Sequence, residues 1–166
     1  MTAQSPIALV SSVRQLARIG WTVEFGDSRL PSEILARYGW VPAEVRCFVE
    51  MVQRASSRDQ KAWLLGASDF SESTASAFLW NEWEAMSLAA AVTEGDARTV
   101  RHHWDQHFPV AVSVKSGYAS FSLAKNGFGL VVGEEPEFEE SRAISGSLAQ
   151  FVEMIADRAD GFDRWF

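Results

Sequence analysis

Two groups of side chains in this sequence have the chemistry to bind or react. The first is the run His102-His103-Trp104-Asp105-Gln106-His107. His103 and His107 lie one helical turn apart and could share a metal ion. A zinc site needs a further ligand and an oriented surrounding shell. Trp104 stands where a metalloprotease helix would carry its glutamate. The expectation is therefore no metal, with His102 exposed and His107 packing or capping a helix end, where the dipole favours a cation.

The second group is acidic. Glu134, Glu135, Glu137, Glu139 and Glu140 place five carboxylates within residues 134–140. Their spacing is not that of a calcium-binding loop. Three readings stay open: contact with a basic partner, a solvated strand edge that discourages aggregation, or a site for a hard cation. In the first, the carboxylates imitate a phosphate backbone, and a basic partner that relieves their mutual repulsion gains affinity. Glu82 and Glu84 flank Trp83, but residues two apart on a helix face different sides and do not converge on one substrate. Cys47 has no nucleophile signature around it, and no GxSxG elbow is present. Gly127-Phe128-Gly129 is too short to cradle phosphates. These residues point to a binding protein with no catalytic residue and no cofactor.

Charge agrees with that reading. The net charge is −7. Residues 1–66 carry eight Lys/Arg against six Asp/Glu, and residues 67–166 carry seven against sixteen. An acidic second half repels nucleic acid and attracts a basic partner, speeding encounter. Seven Trp and eleven Phe suit a core built on large rings, and some rings could instead anchor an interface. Tyr118 and Phe138, beside the acidic run, are the candidate anchors. One cysteine, no secretory signal and no membrane-length apolar run lead us to expect a cytoplasmic protein.

The elements that must carry these groups follow from periodicity. Helices are expected over 6–19, from Pro31 to Tyr38, and from Pro42 through Val45, Phe48, Val49 and Val52. A short strand or extended linker is expected at 21–25, a loop at 55–60 and a strand at 62–67. A helix then spans roughly 75–92, a break falls at Thr93–Asp96, and another helix covers about 97–107. Strands follow at 110–114, 118–123 and 128–133. Their turns are Lys115-Ser116-Gly117 and Lys125-Asn126-Gly127, the latter a strong hairpin signal. An acidic loop, a short strand at 142–144 and a helix capped by Ser147 and Gln150 close the pattern. Tight turns demand antiparallel pairing. The fold class is therefore α+β: a mostly antiparallel twisted sheet with helices packed around it, one face covered and one partly open.

The runs AWLLGASDF (62–70), SAFLWNEWEAMSLAAA (76–91), HHWDQHFPVAVSVKSGYASFSLA (102–124), EEPEFEE (134–140) and SLAQFVEMI (147–155) together resemble the SUKH superfamily. That group includes yeast regulators of cell-wall synthesis and many bacterial immunity proteins. Its marks here are Leu30-Pro31 opening a helix, Phe108-Pro109 leading into paired strands, and Gly117-Tyr118 at the turn. The resemblance covers residues 30–157, leaving 1–29 as a helical extension and 158–166 as a tail. It implies a non-enzymatic α+β domain that binds and occludes a cognate toxin, often a nuclease. An endogenous protein or peptide held by a regulatory scaffold is the alternative, and a hydrolase using His103, His107 and Asp105 ranks behind both.

Overall fold

The turn residues decide the topology. Gly117 and Gly127 adopt φ of +94° and +80°, backbone that a side chain disfavours and a tight reversal requires. Such reversals leave each strand beside its sequence neighbour. The computed structural model describes residues 6–71, 78–127 and 129–166, with side chains from Ala8 onward. It contains helices α1 (Pro6–Leu16), α2 (Ser32–Arg37), α3 (Ala43–Met51), α4 (Glu82–Ala90), α5 (Glu94–Asp105) and α6 (Leu148–Ala156). The strands are β1 (Thr22–Phe25), β2 (Val52–Ser56), β3 (Ala62–Leu64), β4 (His107–Ser113), β5 (Ala119–Ala124), β6 (Leu130–Glu134) and β7 (Glu137–Ser145). All seven form one antiparallel sheet in the order β1-β2-β3-β4-β5-β6-β7. The α+β class follows directly.

Register fixes what each face meets, because directly paired residues share a face. Ala111 pairs with Phe121, which pairs with Val132; Ser113 pairs with Ala119, which pairs with Glu134. On this face Phe121 packs against Phe151 of α6, Trp165 and Phe166. The Ser113 hydroxyl donates to the Trp165 carbonyl at 2.6 Å. The opposite face carries Trp63, Val112 and Ser120, again in register. There Trp83 of α4 lies over β5 and donates its indole N–H to the Ala119 carbonyl at 3.4 Å. Every residue of β5 is buried.

The partly open face is open at one end of the sheet. Both faces of the central strands are covered, and the α4 side opens to solvent at β1 and β2, where Glu24 and Arg54 are exposed. That opening lies at the far end of the sheet from the acidic residues. The divisions at residues 30 and 157 also mark no break in packing: one core runs from Leu9 through Trp21 to Phe162 and Trp165. Trp165 is 4% exposed, so the aromatic end of the chain is a core element.

Several local expectations shift for identifiable reasons. Residues 55–56 extend β2 and do not begin a loop. Thr93 and Asp96 are the N-terminal cap of α5: the Thr93 hydroxyl accepts from Asp96 N–H at 3.1 Å, and the Asp96 carboxylate accepts from Thr93 N–H at 2.9 Å. Helix α4 begins only at Glu82. Phe78 and Trp80, which precede it, turn aside to stack on Trp63 and Phe70. The expected start at 75–77 lies outside the described residues, as does Phe128. Ser147 caps α6 through Gln150 N–H, while the Gln150 side chain accepts from Gly146 N–H, not from Ser147.

Candidate functional site

The acidic run is a hairpin. Strand β6 ends at Glu134, a cis Glu135–Pro136 bond makes the turn, and β7 starts at Glu137. The expected loop with a short strand at 142–144 is instead a nine-residue edge strand. Glutamate is a weak strand former, which hid the strand from pattern reading. Pairing alone brings Glu134 opposite Glu137, and like charges directly opposed destabilise a ladder. The fold offsets this with cations from elsewhere.

Glu134 is the anchor. Its carboxylate accepts from the Trp165 indole N–H at 3.1 Å, from Arg164, and from Arg142 at 3.4 Å. Arg142 and Arg164 lie over the Trp165 ring, 5.2 and 4.6 Å from its centroid. Burial alone would raise the Glu134 pKa; the hydrogen bonds from Trp165 and Arg164 and the charges of Arg164 and Arg142 outweigh it and hold the carboxyl below its usual range. Glu139, half-buried, is the second anchor and accepts from the Trp104 indole N–H at 2.9 Å. Glu135, Glu137 and Glu140 are exposed. Two of the five carboxylates are thus committed inward, and three stand in solvent, Glu135 in the turn and Glu137 and Glu140 on β7.

The two candidate anchors fall elsewhere. Phe138 is 3% exposed, with its ring parallel to Trp83 at 5.9 Å, so it belongs to the core and offers no surface for a partner. Tyr118 is half-buried, stacked against Trp83 at 4.9 Å and edge-on to Phe78 at 5.9 Å. Its carbonyl accepts from Glu135 N–H at 3.0 Å. Both rings support the hairpin from beneath.

The histidines pack as a pair. His103 and His107 stack with centroids 4.0 Å apart, and His107 Nδ1 lies 2.7 Å from the His103 carbonyl. A carbonyl only accepts, so Nδ1 carries the proton. Burial, reinforced by the His107 charge and opposed by Glu139, lowers the His103 pKa to about 4. Asp105 is drawn to Arg37 at 2.7 Å, away from the histidines. Among the described residues no group of three or more His, Cys, Asp or Glu is placed to hold a metal ion, and no helix is long and apolar enough to cross a membrane. Cys47 is half-buried, its sulfur 3.8 Å from that of Met51.

A cluster that pattern reading missed joins α2, α4 and α5. Arg37 donates twice to Glu84, at 2.7 and 2.9 Å, and once to Asp105. Its partners lie 47 and 68 residues away, so no local spacing announces it. The missed partners of the hairpin are Arg142, Arg164 and Trp165; the aromatic pair Trp165-Phe166 was their one visible signal. Comparison of the chain with family models, with curated proteins and with solved structures finds no match.

Proposed function

We propose that this chain is a non-enzymatic protein-binding domain of the immunity type, docking through the acidic β7 edge onto a basic toxin domain, such as a nuclease, and covering its substrate entry. It acts in the cytoplasm, which agrees with its one free cysteine. The resemblance of the order of sequence runs to the SUKH superfamily supports this reading. The observation that carries it is the exposure of Glu135, Glu137 and Glu140 on a hairpin whose neighbouring Glu134 and Glu139 are tied inward.

Physical reasons connect that geometry to the function. The hairpin backbone that carries the three exposed charges is ordered before binding, so the ordering cost on association is confined to their side chains. A cationic surface relieves their mutual repulsion. The acidic second half of the chain adds a field that steers a basic partner toward the edge. Rim charges of this kind set encounter rate and choice of partner, while an interface of about 1,600 Å² supplies the hold.

The test is recovery of the protein with its companions from its own cells, identification by mass spectrometry, and assay of the companion's activity with purified chain added. A basic companion inhibited in an equimolar complex supports the proposal. A companion without toxic activity moves the reading to a regulatory scaffold. Turnover of a small compound by the purified chain, lost on changing one polar side chain, overturns it.

A further inference from the structure

At the end of the sheet remote from β7, a groove of about 630 Å³ opens over β1, β2 and β3. Register places Glu24 opposite Arg54, and Ser56 opposite Trp63, so these four side chains share its floor. Trp63 is half-buried, one side of its indole stacked on Phe78 at 6.1 Å. Asp69, on the turn after β3, forms the near wall. Glu24 and Arg54 are exposed and face each other without an ion pair among the described residues. Ser56 is 8% exposed, and its hydroxyl has no hydrogen-bond partner among the described residues.

A buried hydroxyl without a partner is unfavourable and calls for a reason. A turn about χ1, which is inexpensive for serine, swings Oγ toward the groove that its side chain already lines. The remaining chemistry narrows what would meet it. One cation against two carboxyl groups does not suit a phosphate or other anion, which needs an excess of donors and positive charge. An acyl chain needs continuous apolar walls, and here Glu24, Arg54, Ser56 and Asp69 interrupt them. What fits is a neutral ring with an apolar C–H face for the indole and hydroxyls at its rim, each able to donate and accept. Burial raises the Asp69 pKa, with the Gly66 N–H bond pulling the other way, which further disfavours a cationic requirement at that wall.

We infer that this groove is a binding site for a neutral carbohydrate, with Trp63 as the stacking platform and Ser56, Arg54 and Glu24 as hydrogen-bonding partners of its hydroxyls. The site is separate from the acidic hairpin, and it stands or falls independently of the partner proposed there.

The experiment titrates the full chain with cellotriose, maltotriose and chitotriose by calorimetry, and in parallel follows the indole N–H signals by NMR, Trp63 being assigned with Trp63→Phe. The expected result is saturable binding of at least one trisaccharide with a Kd of about 1 mM or below, with the Trp63 signal moving most. Ser56→Ala removes the orphan hydroxyl. It should unfold at no lower urea concentration than the parent and yet bind about five- to tenfold more weakly. Arg54→Ala, at an exposed residue whose side chain makes no ion pair among the described residues, should also weaken binding with an unfolding midpoint close to that of the parent. The inference is overturned if no trisaccharide moves the Trp63 signal, if inorganic phosphate binds more tightly than any of them, or if Ser56→Ala and Arg54→Ala bind like the parent.

Discussion

Replacing Arg37 by Met tests how the helices that support the hairpin are held. The Arg37 guanidinium makes paired hydrogen bonds to Glu84 at 2.7 and 2.9 Å and one to Asp105 at 2.7 Å. The Glu84 side chain is only 9% exposed, that of Arg37 24%, and that of Asp105 50%. Methionine keeps the alkyl packing and removes the charge, leaving the Glu84 carboxylate buried and unpaired. Breaking a buried pair in this way costs about 3–5 kcal/mol. Water reaching the partly open Arg37 position argues for the lower end, and Asp105 is solvated once released. The loss of cation–π contact with Tyr38 at 5.2 Å and Trp80 at 5.9 Å adds about 0.5–1 kcal/mol. The expected total is about 3–4 kcal/mol, which lowers Tm by about 10 °C in a chain of this size. Arg37→Met with Glu84→Leu removes both charges and should return to within about 1 kcal/mol of the parent. Urea unfolding followed by circular dichroism measures each variant, with the transition slope unchanged. A loss under about 1 kcal/mol for Arg37→Met, or a double variant less stable than the single one, refutes the reasoning.

Other expectations are local. Phe138→Ala should cost about 3 kcal/mol by opening a cavity against Trp83, whereas Glu135→Gln should stay within about 0.5 kcal/mol of the parent; equal effects in urea unfolding would contradict the division between inward and outward residues. Gly133→Ala should prevent native folding or displace β7, because a Cβ there overlaps the Phe138 carbonyl, and soluble yield with circular dichroism will show it. His103 and His107 are both held below the ordinary histidine range by burial. The unfolded chain therefore binds more protons between about pH 6.5 and about pH 4, so stability is full above that window and falls as pH drops through it. Because carboxylates also titrate there, the diagnostic is the difference between parent and His103→Gln: the variant's urea midpoint should fall less between about pH 7.5 and about pH 4.5.

The hairpin turns and amphipathic helices were legible because they rest on local chemistry. Asn126-Gly127 with its alternating flanks gave the β5–β6 connection, and Leu148, Phe151, Val152 and Ile155 all turn inward on α6. What escaped depends on distant partners. Strand β7 carries charges that pattern reading assigns to a loop; it is a strand because Glu134 and Glu139 find Trp165, Arg164 and Trp104, which lie about 30 residues away or more. The same remoteness hid the Arg37–Glu84–Asp105 cluster. Phe138 read as a surface anchor because its neighbours are acidic, yet alternation along β7 turns its ring into the core beside Trp83. The five glutamates are visible as a group because they are nearly contiguous, but which of them turn inward depends on Trp104, Arg164 and Trp165, about 30 residues away or more.

The most direct measurement of the central claim is the association rate of the recovered partner with the parent and with Glu135→Gln/Glu137→Gln/Glu140→Gln, at low and at high ionic strength. Exposed charges steer encounter and are screened within about 8 Å in physiological salt. The parent's rate should fall about tenfold or more as salt rises, and the triple variant should start low and respond weakly, with its unfolding midpoint unchanged. Rates that are equal for the two proteins and indifferent to salt would contradict a docking surface built on the β7 edge.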